Sequence, residues 1–358
     1  MNKFTVLLFL LNSYTLTAQK SSPVITRYYE FTGAIDKYPV VLHLHRTNND
    51  FSGSYYYSNT ETPIEIDGKL DKTGFLKLTH LAEEENNNEV FEGVFKDSSL
   101  SGTWSYKGKL LSFRVAQKKD NPLQFDYIWS NGTKKIPEKT VEYGPDELSY
   151  EAATIWPARG FPKPLDDSIK TYIRDIFEEK NSTDEIGKIL LRRKSEILSP
   201  KIQSDDEIEA YAVDNIVQVV YRNKNIITFS HANYSYTGGA HGNHGTVYTC
   251  FDLQHNRRIS ITDVMDTAAV QAAMHAILEK TFRANYASMI GKDEQLTDIL
   301  FVEQIPVNNN FLLTARGIGF QYLPYEIAAY ALGDILLYIP FREIEQYLKP
   351  EFKLFLKS

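Results

Sequence analysis

Apolar and polar side chains alternate with a period of two through much of residues 20–118. This alternation is typical of β-strands that bury one face. Residues 40–45 (VVLHLH) are an example, in which the leucines share one face of a strand while His43 and His45 share the other. These two histidines could bind a metal, but we expect their face to be solvated. A polar turn at 48–50 (NND) ends the strand.

A short motif recurs in the same region, in which a glycine stands midway between two large apolar residues. The two apolar residues are four positions apart and therefore lie on one face of a strand. The glycine between them leaves room for a bulge, a bend or a neighbouring side chain. The motif occurs at residues 51–55 (FSGSY), 66–70 (IDGKL), 91–95 (FEGVF) and 100–104 (LSGTW). These strands predict an antiparallel β meander, barrel-like or sandwich-like.

Helical periodicity appears in the second half of the chain. Helices are predicted at 166–180, 183–198, 268–287 and 342–348, with Thr267 as the cap of the longest. Strands are predicted at 146–158, 210–221, 225–236, 311–322 and 335–340, the last two closing the sheet, and a hairpin is predicted at 251–261 around residues 254–256. Helices and strands mix without a regular βαβ period, so the predicted fold class is α+β, with an antiparallel sheet and packed helices.

The same patterns divide the chain into four segments. They are a signal peptide at 1–18, an all-β domain at 20–118, a linker or the end of that domain at 119–145, and an α+β domain at 146–350. At the amino terminus, Lys3 precedes an apolar run at 4–11 (FTVLLFLL), and small and polar residues follow as far as Ala18. This is the order of a secretory signal peptide.

The location follows from this signal and from what the rest of the sequence lacks. No run reaches the roughly 18 apolar residues of a membrane helix. We therefore expect a periplasmic or extracellular protein with no integral membrane segment after signal removal. Because Cys250 is the only cysteine, we expect neither an intrachain disulfide nor a lipid anchor near the cleavage point, and its strand-like surroundings predict a buried thiol.

Charge and motifs exclude several functional classes. The net charge of −7 argues against a nucleic-acid partner. The sequence contains no nucleophile elbow, no P-loop and no dinucleotide-binding motif. We therefore predict no catalytic residues and no cofactor.

The segment 236–243 (YTGGAHGN) is the most distinctive in the chain. Its three glycines permit positive φ, so the loop can cradle a ligand with backbone amides or simply carry the chain across a sheet edge. The candidate ligand-binding residues are Tyr234, Tyr236, Gly238, Gly239, His241, Asn243, His244 and Tyr325. An alternative is a metal site of His231, His241 and His244, which lacks a recognised metalloprotease spacing. We expect no bound metal.

Several further segments follow this loop in a characteristic order. They are 251–253 (FDL), 259–263 (ISITD), 311–314 (FLLT), 317–320 (GIGF) and 325–333 (YEIAAYALG). In that order they resemble the exported domain of unknown function 3298. Residues 146–230 resemble more weakly its upstream partner, the pair being found in PdaC-type peptidoglycan deacetylases and in the ectodomain of the lysozyme-sensing anti-sigma-V factor. Residues 20–118 resemble β-rich amino-terminal modules of exported Bacteroidetes proteins.

The resemblance implies an envelope location and a connection with peptidoglycan or with proteins that attack it. The deacetylases carry a separate metal-dependent catalytic domain, for which this chain has no counterpart. We therefore expect a non-catalytic binding protein whose ligand is peptidoglycan, another envelope glycan, or a glycan-cleaving protein such as lysozyme. The alternative is a metal-dependent hydrolase or deacetylase acting on envelope glycan. A third possibility is a purely structural role for the glycine-rich loop.

Overall fold

The structure is a computed structural model, and it describes residues 23–80, 87–136, 145–199, 210–287, 290 and 294–357. The predicted signal peptide, residues 1–18, lies outside the described residues. Among the residues that are described, no helix is both long enough and apolar enough to cross a bilayer.

Residues 26–80 and 87–117 form a closed, eight-stranded antiparallel barrel, in which each strand pairs with the next and the last pairs with the first. The strands are β1 (Thr26–Ile35), β2 (Tyr38–Thr47), β3 (Asp50–Tyr57), β4 (Ile64–Leu70), β5 (Phe75–His80), β6 (Glu89–Lys96), β7 (Ser99–Tyr106) and β8 (Lys109–Gln117). Apolar side chains from alternate positions fill the interior, as expected for a barrel of this size. The predicted meander is confirmed, and it is a barrel rather than a sandwich.

The glycine motif explains how these strands fit together. A Cβ added at Gly53 would lie 2.0 Å from the carbonyl oxygen of His43, and one added at Gly68 would lie 1.8 Å from that of Lys77. Gly93 and Gly102 face each other across β6 and β7 and are equally crowded by neighbouring carbonyls. Because no side chain fits at these positions, glycine lets adjacent backbones approach closely where the barrel curves.

The second half begins with β9 (Gln124–Lys135), which falls within the interval 119–145. It pairs along its whole length with β10 (Glu147–Arg159). The helices α1 (Lys163–Ile176) and α2 (Ile186–Ile197) then lead to β11 (Ala212–Arg222), β12 (Ile226–Tyr236), β13 (Asn243–Asp252) and β14 (Arg257–Arg258). The sheet order is β14-β13-β12-β11-β10-β9, and β10 and β11 are parallel. The predicted antiparallel sheet therefore contains one parallel pair, since two helices carry the chain back between those strands.

The carboxyl-terminal part forms a separate three-stranded sheet with helices. Its elements are α3 (Ile261–Val264), α4 (Thr267–Asn285), β15 (Phe311–Leu313), β16 (Gly317–Tyr322), β17 (Ile335–Pro340), α5 (Phe341–Ile344) and α6 (Pro350–Lys357). The prediction that 311–322 and 335–340 close the larger sheet was wrong, because these strands pair only with one another. Asp266, not Thr267, caps α4 by accepting from Ala269 N at 3.3 Å. Cys250 is buried as predicted.

The expectation that His43 and His45 are solvated was also wrong. Both lie on the outer face of the barrel, but the six-stranded sheet covers that face and leaves them 0% and 1% exposed. The backbone N–H of Val219 donates to His45 Nε2 at 3.1 Å, and the Tyr28 hydroxyl lies 2.7 Å from His43 Nδ1. Burial lowers the pKa of each histidine to about 3, so both are neutral at physiological pH.

Further hydrogen bonds join the barrel to β11. Gln218 Nε2 donates to Ser52 Oγ at 2.6 Å, and Ser54 Oγ donates to the carbonyl of Val220 at 3.1 Å. Several polar groups buried between the two halves therefore form hydrogen bonds across the boundary, which fixes one half against the other.

Candidate functional site

The glycine-rich segment forms the connection between β12 and β13. Gly238 and Gly239 have φ of +106° and +92°, a region that residues with a Cβ rarely adopt. The Tyr236 hydroxyl donates to the carbonyl of Gly239 at 2.7 Å and holds the loop against the end of β12. The loop also contacts Tyr211 through Gly238, and the ring of Tyr211 lies 6.0 Å from that of Tyr236.

A second segment, after β16, brings Tyr325 and Tyr330 beside this loop. The ring of His241 stacks on Tyr330 with centroids 4.0 Å apart and planes within 25°. Tyr325 lies 5.6 Å from Tyr330 and 6.4 Å from His241. We call these three rings, together with His244, the aromatic shelf. The sequence-predicted residues His241, His244 and Tyr325 therefore lie together, although more than 80 positions separate the two segments.

Tyr330 is a site residue that the sequence reasoning missed. Its hydroxyl donates to the carbonyl of Gly242 at 2.8 Å and lies 3.1 Å from His244 Nδ1. Since that hydroxyl proton goes to the carbonyl, His244 Nδ1 must carry the proton that it donates to the tyrosine oxygen. The available signal was position, because Tyr330 lies in the same YEIAAYALG segment as Tyr325.

Tyr325 has an unusual backbone for a residue with a large side chain. Its φ is +69°, in the left-handed region, and its side chain is 54% exposed. The backbone N–H of Tyr325 donates to the carbonyl of Ala328 at 3.1 Å, and Glu326 Oε2 accepts from Leu323 N at 2.9 Å, which together hold the turn. Left-handed backbone at a bulky residue is strained, and such strain is concentrated at functional sites.

The imidazoles of the shelf present hydrogen-bonding nitrogens in defined tautomers. His241 Nδ1 lies 3.0 Å from the carbonyl of Gly242, so it carries a proton, and its Nε2 lies 3.4 Å from the Tyr325 hydroxyl as an acceptor. The carboxylate of Asp334 lies nearby, and burial raises its pKa while hydrogen bonds from Thr246 oppose that rise. The shelf thus combines exposed ring faces with both donors and acceptors.

The remaining predicted residues border the shelf. Tyr234 is half-exposed, and its ring packs so closely on Gly242 that a Cβ there would lie 2.4 Å from it. Asn243 is exposed at the start of β13, where it pairs with Ser235. Tyr236 and Gly238 lie beside Tyr211, and Gly239 accepts the hydrogen bond from the Tyr236 hydroxyl.

His231 is not part of the shelf. It lies on β12 three positions before Tyr234, about 10 Å along the strand. Its Nε2 donates to Asn215 Oδ1 at 2.8 Å, and burial lowers its pKa to about 4. Within the described part of the chain, no three or more His, Cys, Asp or Glu side chains are arranged to hold a metal ion. The three histidines of the alternative metal site are therefore not brought together.

The protein consists of a β-barrel and a second part in which two sheets pack with helices, so its fold class is α+β. The glycine-rich loop lies where these two sheets meet. The family described as deacetylase PdaC matches residues 158–244. The family described as protein of unknown function DUF3298 matches residues 263–342. The predicted pair of domains in the second half of the chain is thus confirmed, and it suggests a protein related to the cell envelope.

One solved structure has a similar fold over part of this chain, and a second is reported beside it. A member of the DUF3298 family from Bacteroides fragilis NCTC 9343 is 22% identical to this chain, with a TM-score of 0.53, and the match covers 63% of this chain and 94% of that one. A DUF3298 family protein from Pseudomonas aeruginosa PAO1 is 17% identical, with a TM-score of 0.47 and coverage of 64% and 96%. No curated protein matches this chain.

Proposed function

We propose that the chain is an exported, non-catalytic binding protein of the cell envelope, and that its aromatic shelf binds peptidoglycan or another envelope glycan. The observation that carries this proposal is Tyr325, an exposed ring held in a strained backbone beside the stacked rings of Tyr330 and His241. Aromatic side chains with one apolar face and one polar edge suit ligands that offer both kinds of surface. A pyranose ring, with its apolar C–H face and its rim of hydroxyls, is such a ligand.

Two features of the shelf favour a glycan over a large protein partner such as lysozyme. The shelf is a small group of rings from two segments, whereas stable protein interfaces bury about 800 Å² on each partner. Its exposed edge carries a Tyr325 hydroxyl and the imidazole of His241. These groups can donate to and accept from sugar hydroxyls.

The test is a binding measurement with soluble peptidoglycan fragments, using the full chain and the variant Tyr325→Ala. We expect the variant to bind about tenfold more weakly, since stacking on one ring contributes about 1 kcal/mol or more. Tyr38→Ala is the matched control, because Tyr38 is 45% exposed on the barrel, remote in sequence from the shelf. Equal affinity of all three proteins, or binding of lysozyme but of no glycan, would contradict the proposal.

The metal-dependent alternative has its own measurement. Elemental analysis of protein purified without a metal-binding tag distinguishes the two functions. Near-stoichiometric zinc that is lost in His241→Ala would favour a hydrolase or deacetylase over the binding protein proposed here.

A further inference from the structure

A second candidate site lies away from the shelf, at the junction of the barrel and the six-stranded sheet. A cleft of about 600 Å³ opens there between the first half of β1 and the start of β9. Residues 117–123, which connect β8 to β9, form its third wall. This volume lies within the range of ligand pockets, about 300–1,000 Å³, which occur preferentially at domain interfaces.

Two strand edges without ladder partners border this cleft. β1 pairs with β2 along its whole length, but with β8 only from Phe31 to Ile35. β9 is the end strand of its sheet and pairs with β10 on one side. One edge of β1, from Thr26 to Glu30, therefore has no neighbouring strand in its sheet. The same is true of one edge of β9 at its start.

Hydrogen-bond alternation shows that the main chain of β1 points into the cleft. The backbone N–H of Lys118 donates to the carbonyl of Glu30 at 2.8 Å, so the peptide groups of Glu30 face the β8 side. Because peptide groups alternate along a strand, those of Tyr28 and Thr26 face the same side, beyond the last pairing with β8. They form a short row of donors and acceptors about two residue pairs long.

The same argument applies to β9. The backbone N–H of Ile136 donates to the carbonyl of Asp146 at 3.0 Å, so even-numbered residues of β9 face β10. The peptide groups of Phe125 and Tyr127 consequently point away from β10, toward the cleft that both residues line. The side chains of these residues are buried beneath it with that of Tyr28.

A buried group of charges holds the connecting wall in place. Glu30 is 5% exposed, and its carboxylate accepts from Lys118 Nζ at 3.2 Å and from Asn121 Nδ2 at 2.7 Å. Arg222, on β11, donates to the carbonyl of Leu123 at 2.9 Å and also to Asn121. The wall is therefore fixed to both halves, and the cleft exists without a ligand to shape it.

The charges that remain at the rim are mostly basic. Arg27 and Lys119 are exposed there, with Asp126 as the exposed acid, while the charge of Glu30 is already balanced by Lys118 and by Arg222 at 3.7 Å. A ligand with carboxylates is favoured at such a rim.

We propose that this cleft binds a short acidic peptide segment in an extended conformation, which adds as a strand to the free edge of β1. An extended peptide offers alternating N–H and C=O groups at the spacing of Thr26 and Tyr28, which is the basis of strand addition. Carboxylates on the peptide face Arg27 and Lys119. This binding is independent of the glycan proposed for the shelf.

The test uses the full chain and a fluorescent eight-residue peptide that alternates valine and glutamate, followed by polarisation. We expect saturable binding that weakens at least tenfold when the alternate amides of one peptide edge are N-methylated, because those donors are then lost. A peptide with lysine in place of glutamate is expected not to bind. Affinity that is unchanged by N-methylation, or competition by a uronic-acid oligosaccharide and not by unlabelled peptide, would overturn the proposal.

Variants of the protein complete the test. Lys119→Glu is expected to weaken the peptide about tenfold, while Lys72→Glu, an exposed lysine on the β4–β5 turn, leaves it unchanged. Thr26→Pro removes a main-chain donor at the first residue of a strand, where proline is tolerated, and is expected to weaken binding about tenfold with an unchanged unfolding midpoint. Peptide affinity equal to that of the unmodified chain in both Lys119→Glu and Thr26→Pro would overturn the proposal.

Discussion

Two pairs of histidines occupy opposite environments in this protein. His43 and His45, the interface pair, lie on a barrel strand beneath the six-stranded sheet. His241 and His244, the loop pair, lie in and just after the glycine-rich loop and reach the surface. Both pairs contact tyrosine rings, so the chemistry of the neighbours is similar. What differs is the access of water.

That difference decides what each pair does. In the interface pair, His43 Nε2 and His45 Nδ1 are buried with no hydrogen-bond partner, so a proton added there would be a charge without solvation. These rings therefore act as neutral packing groups, and one of them accepts a main-chain hydrogen bond across the boundary. The loop pair keeps exposed edges that a ligand can contact. The same residue type fixes two halves together in one place and forms a surface in the other.

The largest expected effect is acid destabilisation through the interface pair. The unfolded chain binds a proton at each histidine near pH 6.5, but the folded chain does so only near pH 3. Stability is therefore fully present above about pH 6.5 and falls as the pH drops toward 3, by on the order of 2–3 kcal/mol per histidine at about pH 4.5. Urea unfolding at about pH 7 and about pH 4.5 measures the loss.

A variant tests whether this loss of stability at low pH arises from the interface pair. His45→Gln keeps an acceptor for the N–H of Val219 but cannot take a proton, so it is expected to reduce the loss between the two pH values. His241→Gln is the control for removal of one imidazole at the surface. An equal loss in His45→Gln and in the unmodified chain would show that the interface pair does not set the acid sensitivity.

The next largest loss of stability is expected when a buried charge is removed between the barrel and the six-stranded sheet. Arg222→Leu deletes the guanidinium that faces Glu30 and supports the wall at Leu123, and it is expected to destabilise the protein by about 3 kcal/mol. Arg342→Leu, an exposed arginine on α5, should change stability by less than about 0.5 kcal/mol. Similar unfolding free energies for the two variants would mean that the charge cluster does not stabilise the boundary.

On the shelf the expected effects are smaller. Tyr330→Phe keeps the ring that stacks on His241 but loses the hydroxyl that bonds the Gly242 carbonyl and His244. We expect a loss of about 1 kcal/mol in the free energy of unfolding. Tyr38→Phe, at an exposed barrel position, serves as the control and is expected to have no effect. A loss as large as that for Arg222→Leu would indicate that the shelf is as tightly integrated as the barrel boundary.

The smallest expected effect is an increase in stability rather than a loss. Tyr325→Asn places a residue that tolerates left-handed backbone at φ +69°, and is expected to stabilise the fold by about 0.5–1 kcal/mol. The same change should weaken glycan binding, because the exposed ring is lost. Thermal unfolding tests the increase in stability, and the fragment-binding assay on the same preparation tests the weaker glycan binding. Destabilisation by this variant would show that the tyrosine backbone is not strained.

Local patterns were enough to predict most of the secondary structure. Alternation at 40–45 gave β2, and the glycine motif gave the meander, because both signals arise from neighbours within one or two strands. The helix at Thr267–Asn285 followed from alanine-rich periodicity, although its cap is one residue earlier than predicted. The strands at 311–322 and 335–340 were predicted to join the larger sheet, but they form a separate one. Strand pairing depends on contacts between residues distant in sequence, which local patterns do not report.

The candidate site was only partly accessible from sequence. Positive φ at Gly238 and Gly239 was expected from the glycine-rich composition, and Tyr325 was already among the candidate ligand-binding residues. The stacking of His241 on Tyr330 did not follow, because it joins segments about 90 positions apart. The cleft beside β1 could not be predicted either. The edge of β1 is left unpaired because the chain turns away from it after β8, and the sequence does not indicate that path.

By itself the sequence determined which residues share a face, where glycine is required, and that the chain divides into a β-rich and an α+β part. Those properties are local, because they depend on the two-residue and 3.6-residue periods of the backbone and on the missing Cβ of glycine. Only the tertiary structure decided what covers each face. His43 and His45 show the reason, since they are buried by a sheet that lies later in the chain, from which Tyr127 and Val219 contact His45. No property of the histidines' own strand indicates that this sheet is present.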